Sequence, residues 1–212
     1  MKTEKEEIRQ VLITTAREAF LEKGYKAVSM REISEKSGVG LSNIYNYFDS
    51  KDELFKVVLT PFLHSFEKMM IEHSEASRDT EVDMYTSEKY QAETIRSFLE
   101  VFRQYRPELK LLFYASQGSC FENYCEMLID SNTRRSLEYM KLIKEKNHLL
   151  SIDISTFFIH LCCVWWVNVL KEIAGHDELT DIEIERFIAE YVRFAAAGWE
   201  ALFKTRESKK QE

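Results

Sequence analysis

The chain has 212 residues, enough to bury one large core or two smaller ones. With 6 glycines and 2 prolines, and no period-2 runs of Val, Ile and Thr, the composition excludes a sheet-built protein and points to long helices. The net charge of −7 argues against a broadly basic nucleic-acid coat. Residues 1–56, however, hold ten Lys/Arg and ten Asp/Glu, which leaves 19 of the 29 basic and 26 of the 36 acidic residues beyond them, so only this first segment escapes repulsion from phosphate.

The N-terminal MKTEKEEIRQ is charged and lacks an apolar core, so no signal peptide is expected. A first helix is predicted over about Glu4 to Lys23, with Ile8, Leu12, Ala16, Ala19 and Phe20 on one face and Gly24 as its left-handed stop. Ser29-Met30-Arg31-Glu32 reads as a capping box opening a short helix over Met30 to Ser37. Gly38-Val39-Gly40 makes a tight turn, and a third short helix follows over Leu41 to Tyr47. Ser50-Lys51-Asp52-Glu53 is a second box opening helix 4, which reaches about His73 with a kink at Pro61. Two short helices joined by a glycine-containing turn are the signature of a helix-turn-helix, with Ile33 and Ile44 buried where they cross.

Ser74 to Ser87 reads as a loop and helix 5 spans about Glu88 to Tyr105. Pro107 starts helix 6, which ends near Gln117-Gly118. Helix 7 covers Ser119 to Lys146 and helix 8 Ile154 to Ala174. A third box at Thr180-Asp181-Ile182-Glu183 opens helix 9, which reaches Lys204 ahead of a frayed charged tail. The apolar stretch Ile152 to Leu170 is interrupted by Asp153, His160 and Asn168, which suits a buried helix better than a membrane span. Four cysteines without a signal peptide point to free thiols in a reducing cytoplasm.

Residues 8–56 resemble the DNA-binding domain of TetR-family (AcrR-type) regulators. The likeness runs through Ile13, Ala16, Phe20, Glu22-Lys23-Gly24-Tyr25, Val28, Ile33 and Leu54, and is strongest over Gly38-Val39-Gly40-Leu41-Ser42-Asn43-Ile44-Tyr45-Asn46-Tyr47-Phe48-Asp49-Ser50-Lys51. Gly40, Leu41, Ser42 and Asn43 depart from the family's usual residues after Gly-Val, which touches the operator contacts and not the fold. The resemblance implies an all-α architecture of about nine helices, in which a three-helix helix-turn-helix domain (1–56) precedes a larger helical effector-binding and dimerisation domain (57–212). It implies a cytoplasmic, ligand-responsive repressor: a homodimer on a palindromic duplex operator, released by a small hydrophobic molecule, with no membrane, no cofactor and no catalysis. The alternative is a DNA-binding regulator controlled by a protein partner. A helical enzyme with an appended DNA domain has no motif to support it.

Leu41, Ser42 and Asn43 open the candidate recognition helix, where side chains reach base edges; Asn pairs bidentately with adenine and Leu meets a thymine methyl. Tyr45, Asn46, Tyr47 and Lys51 resemble the family's phosphate-contacting positions, and Lys51 also stands at the N-terminus of helix 4. Ser29 and Arg31 start the helix that crosses the backbone. Phe98, Phe102, Phe113, Tyr114, Phe121, Tyr124, Trp165 and Trp166, with Gln117 and Asn168, are the candidate effector residues; each alone reads equally as core, and the resemblance supplies the pocket. Phe157 and Leu161 on helix 8, with Phe187, Tyr191, Phe194, Ala195, Gly198 and Leu202 on helix 9, form a candidate dimer face. His160-Leu161-Cys162-Cys163 is no metal site, because adjacent cysteines point about 100° apart on a helix. Helix 4 is expected to be the one element joining the two domains.

Overall fold

A computed structural model describes residues 4–79, 88–146, 150–151 and 153–205. Among them are eight helices, α1 (Glu4–Ala27), α2 (Met30–Ser37), α3 (Leu41–Ile44), α4 (Lys51–Asp79), α5 (Glu88–Tyr114), α6 (Tyr124–Lys146), α7 (Thr156–Gly175) and α8 (Asp181–Leu202). A two-residue antiparallel pair joins β1 (Leu150–Ser151) to β2 (Lys204–Thr205). The chain divides into two compact units. One comprises the residues up to Phe66 with Tyr105–Tyr124, and the other comprises Glu67–Gln104 with the residues from Cys125 on.

The difference from the nine helices expected lies in α5, where the predicted boundary between Tyr105 and Pro107 is present as a kink: Tyr105 has non-helical dihedrals (φ −130°, ψ 17°), and helix resumes through Pro107 to Tyr114. A proline removes one helical donor and crowds the preceding turn, so a local distortion two residues upstream accommodates it. The loop expected over Ser74 to Ser87 is helical up to Asp79; residues 80–87 and the charged tail beyond 205 lie outside the described residues. Both α4 and α5 pass from one unit into the other along the chain. In α5 the unit boundary falls at the Tyr105 kink, whereas α4 is a single helix across its boundary.

In the first unit, α1 buries Leu12, Ala16, Ala19 and Phe20. Gly24 has a φ of +77°, which L-residues rarely adopt, and a Cβ there would meet the Ala115 Cβ at 3.1 Å. The next residue, Tyr25, donates its N–H to the Ala115 carbonyl at 2.9 Å. Ser29 caps α2 as the sequence indicates, its Oγ accepting from the Glu32 N–H at 3.1 Å. The box is only half closed, because the Glu32 carboxylate turns to Lys23 and Lys36. Gly38 ends α2 in the left-handed region (φ 72°). Ile33 and Ile44 are fully buried.

Residues 105–124 complete this unit's core. Leu109 and Leu112 are buried with Phe20, Phe55 and Phe62, and the Phe55 ring lies 4.9 Å from Phe20 and 6.0 Å from Phe121. Arg17 donates to Glu108 at 2.7 Å, an ion pair whose carboxylate is almost wholly buried.

In the second unit α7 starts at the Ser155 cap and α8 at Thr180, whose box with Glu183 closes in both directions. Met140, Ile143, Ile159 and Phe203 form a buried cluster, with Trp199 packed against it. Helix α7 is long and apolar enough to cross a membrane by length and composition; it buries Ile159, Cys163, Val167, Leu170, Ile173 and Ala174 within its unit.

Candidate nucleic-acid interface

Helix α3 is one turn long and is anchored by Ile44, which is fully buried, as is Ile33 of α2. The α2–α3 turn is pinned by side chains: Ser34 Oγ donates to the Val39 carbonyl at 2.7 Å and Ser37 Oγ accepts the Val39 N–H at 3.2 Å. With Ile44 turned inward, Ser42, Asn43, Tyr45 and Asn46 are turned to solvent, while Leu41 and Tyr47 are half-buried. Tyr45 is 48% exposed. Asn43 Oδ1 accepts from Asn46 Nδ2 at 3.2 Å, so the two amides orient one another on the exposed face. The expected seven-residue helix is shorter: beyond Ile44 the backbone turns, with the Tyr47 and Phe48 N–H groups both donating to the Ile44 carbonyl. Ser29 and Arg31 are exposed at the start of α2, Ser29 with its hydroxyl engaged as the cap.

Lys51 is placed differently from an outward phosphate ligand. Its Nζ donates to the carbonyls of Tyr25 (2.9 Å) and Val28 (2.8 Å) and stands 4.0 Å over the Tyr25 ring. Burial holds its pKa below the ordinary lysine value. The Tyr25 hydroxyl is pushed up to about 12, by burial first and then by its bond to Asp52; Asp52 also accepts the Cys120 N–H at 3.1 Å. Lys51 thus ties the α1–α2 junction to the start of α4. Two cations on α1 that the sequence reading passed over flank the end of the recognition turn: Lys5 Nζ lies 6.0 Å from the Tyr47 ring centre and Arg9 Cζ 5.5 Å from that of Phe48. Their spacing of four on a helix was the available signal.

The candidate effector residues fall in both units. Phe113, Tyr114, Gln117, Phe121 and Tyr124 belong to the first, where Phe113 is buried and Gln117 donates to the Tyr114 carbonyl. Phe98, Phe102, Trp165, Trp166 and Asn168 belong to the second. Phe98, Phe102 and Trp166 line an apolar cavity with Leu170, Ile173 and Tyr191, of about 20 Å³. Trp165 instead faces outward, edge-on to Tyr191 (5.1 Å) and Phe194 (5.5 Å), and Asn168 is exposed, donating to the Val164 carbonyl. Of the candidate dimer face, Phe157, Leu161, Phe187, Phe194, Gly198 and Leu202 are exposed and Tyr191 and Ala195 half-buried.

Residues 12–58 match the model of the family "Bacterial regulatory proteins, tetR family". Over 55 residues the chain is 40% identical to the HTH-type transcriptional activator FasR of Mycolicibacterium smegmatis, covering 26% of this chain and 25% of FasR. Over 79 residues it is 32% identical to the HTH-type transcriptional repressor Rv3405c of Mycobacterium tuberculosis, covering 37% of this chain and 41% of the relative. The likeness thus spans between a quarter and two fifths of these relatives' length. Among solved structures, a TetR-family transcriptional regulator from Syntrophomonas wolfei superposes with a TM-score of 0.60 at 23% identity, over 92% of this chain and 97% of that one. NalD of Pseudomonas aeruginosa, the secondary repressor of the MexAB-OprM multidrug efflux pump, superposes with a TM-score of 0.56 at 16% identity, over 92% and 96%. At these identities the likeness is one of fold.

Proposed function

We propose that this chain, whose residues 12–58 match the TetR family of bacterial regulatory proteins, is a cytoplasmic homodimeric repressor that occupies a palindromic operator and leaves it when a small hydrophobic molecule binds. The observation that carries the reading is the α2–α3 unit: buried Ile33 and Ile44 fix a turn whose outward side chains are Ser42, Asn43, Tyr45 and Asn46. Asn43 and Ser42 read base edges, Leu41 meets a thymine methyl, and Tyr45, Asn46 and Tyr47 contact phosphate with Ser29 and Arg31. The segment 1–56 reads DNA, while 57–212 supplies the effector site and the dimer face. The acidic balance beyond residue 56 keeps that part away from the duplex.

The effector enters beside Phe98, Phe102 and Trp166. Their cavity of about 20 Å³ holds little more than one water, so an effector must part α5, α7 and α8. That requirement supplies the unequal affinity for two conformations without which a ligand moves no equilibrium. Relatives include both an activator and a repressor by name; repression is the simpler reading for a protein whose recognised chemistry is occupancy of DNA. Control by a protein partner is the alternative, and the small cavity is the observation in its favour.

The experiment is a thermal-shift and DNA-release screen across hydrophobic compounds, on wild type and Trp166→Ala. At a concentration 100 times its Kd an effector stabilises the native state by about 2.7 kcal/mol, and a coupled one weakens DNA binding by roughly 5- to 150-fold. Trp166→Ala should lose most of the stabilisation. A compound that raises Tm yet leaves DNA affinity unchanged contradicts the coupling, and a screen with no binder transfers control to a protein partner.

A further inference from the structure

We propose that Lys5 and Arg9, on the first turns of α1, supply the phosphate-contacting cations beside the recognition turn, an inference that rests on the DNA-binding reading above. The first 56 residues are electrically neutral, so attraction to a duplex depends on which cations are left unpaired. Arg17 is held by Glu108, Lys23 by Glu32, and Lys36 by Glu22 and Glu32. Lys51 has two of its three donors on backbone carbonyls. Among the described residues Lys5 and Arg9 have no carboxylate partner, and each instead stands over an aromatic ring at the end of the recognition turn, Lys5 over Tyr47 and Arg9 over Phe48.

Those ring contacts decide where the charges point. Phe48 is buried and fixed, so Arg9 rests its planar head on an immobile surface, while Lys5 is fully exposed above the half-buried Tyr47. Four residues apart, the two cations share one face of α1. Glu4 and Glu7 stand about 100° and 160° from Lys5; Glu6 is three residues from Arg9, about 60° away, and makes no ion pair with it among the described residues. Glu53, on the first turn of α4, is engaged by the Asp49 N–H, and the Asp49 side chain is exposed. A phosphate contacted by Tyr47 would therefore meet Lys5 and Arg9, which stand against the Tyr47 and Phe48 rings.

The test measures binding of the full-length wild type, Lys5→Gln/Arg9→Gln and Lys5→Arg/Arg9→Lys across a salt series. Two duplexes are used, one recovered by selection with the wild type and one of unselected sequence. A two-fold dimer loses four phosphate contacts in the Gln pair, so the slope of log K against log salt becomes shallower by about 3 to 4, equally on both duplexes. The Arg/Lys swap keeps both charges and should bind as wild type. The inference is overturned if the Gln pair keeps the wild-type slope and affinity. It is also overturned if the charge-conserving pair falls as far as the Gln pair, which would make the role one of packing on Phe48. A wild type that binds neither duplex overturns the DNA-binding reading itself, an outcome distinct from both.

Discussion

Gly198→Trp is expected to leave each subunit folded while abolishing both the dimer and operator binding. Gly198 is exposed on α8, and a Cβ built there meets nothing within 4 Å in its own chain. Around it α7 and α8 expose Phe157 (68%), Phe194 (66%), Leu161 (46%), Trp165 (44%) and Leu202 (39%). Exposed apolar residues gathered on two helices mark a candidate interaction face. On the reading proposed above, a second copy of the same face covers it by two-fold symmetry, and operator reading calls for recognition turns roughly 34–36 Å apart. Overpacking costs about 1–3 kcal/mol per site and a two-fold interface contains the site twice, so dimer dissociation should rise roughly 30- to 20,000-fold. Gly198→Ala, by contrast, should raise helix stability by about 0.5–1 kcal/mol. Light scattering should find a wild-type dimer and a monomeric Gly198→Trp variant of unchanged helicity. A monomeric wild type, or a dimeric variant, contradicts the assignment.

Lys51→Met separates what the sequence suggested from what the structure shows. Read from the chain alone, Lys51 is a phosphate ligand, and its loss should flatten the salt dependence of DNA binding. In the structure its ammonium bridges the Tyr25 and Val28 carbonyls, so its loss should appear as instability. Hydrogen bonds from charged donors contribute about 1.5–3 kcal/mol each, and partial exposure lets water replace some of that, which leaves about 2–4 kcal/mol for the pair. For a chain of this size that is a fall in Tm of about 5–15 °C. The salt slope, set by outward cations, should stay where it was. An unchanged Tm with a flatter slope would return Lys51 to the phosphate backbone.

The contrast shows how far local sequence rules reach. The caps at Ser29 and Thr180, the left-handed glycines at Gly24 and Gly38, and the buried pair Ile33 and Ile44 were legible, because each depends on neighbours within a few residues. Glu32 has the spacing of a closed box, yet it binds Lys23, nine residues upstream, which a three-residue rule cannot see. The pairing of Leu150–Ser151 with Lys204–Thr205 depends on contacts that no local pattern encodes. Residues 105–124 join the first unit because Phe121 reaches Phe55 and Glu108 reaches Arg17, 91 residues away. Aromatic residues were the least separable by role, since Phe113 in a core and Trp166 beside a cavity are the same kind of side chain until packing divides them.

The central claim is that this chain reads DNA sequence through the exposed face of α3. Selection from random duplex DNA, run in parallel with wild type and Asn43→Ala, tests it most directly. The account predicts that the wild type enriches an inverted repeat whose half-sites lie about one helical turn apart. Asn43→Ala should enrich the same repeat with preference relaxed at one base position per half-site, at a cost of about 1–3 kcal/mol there. A wild type that enriches no sequence, or a variant whose selected site is identical to the wild type's at every position, would contradict it.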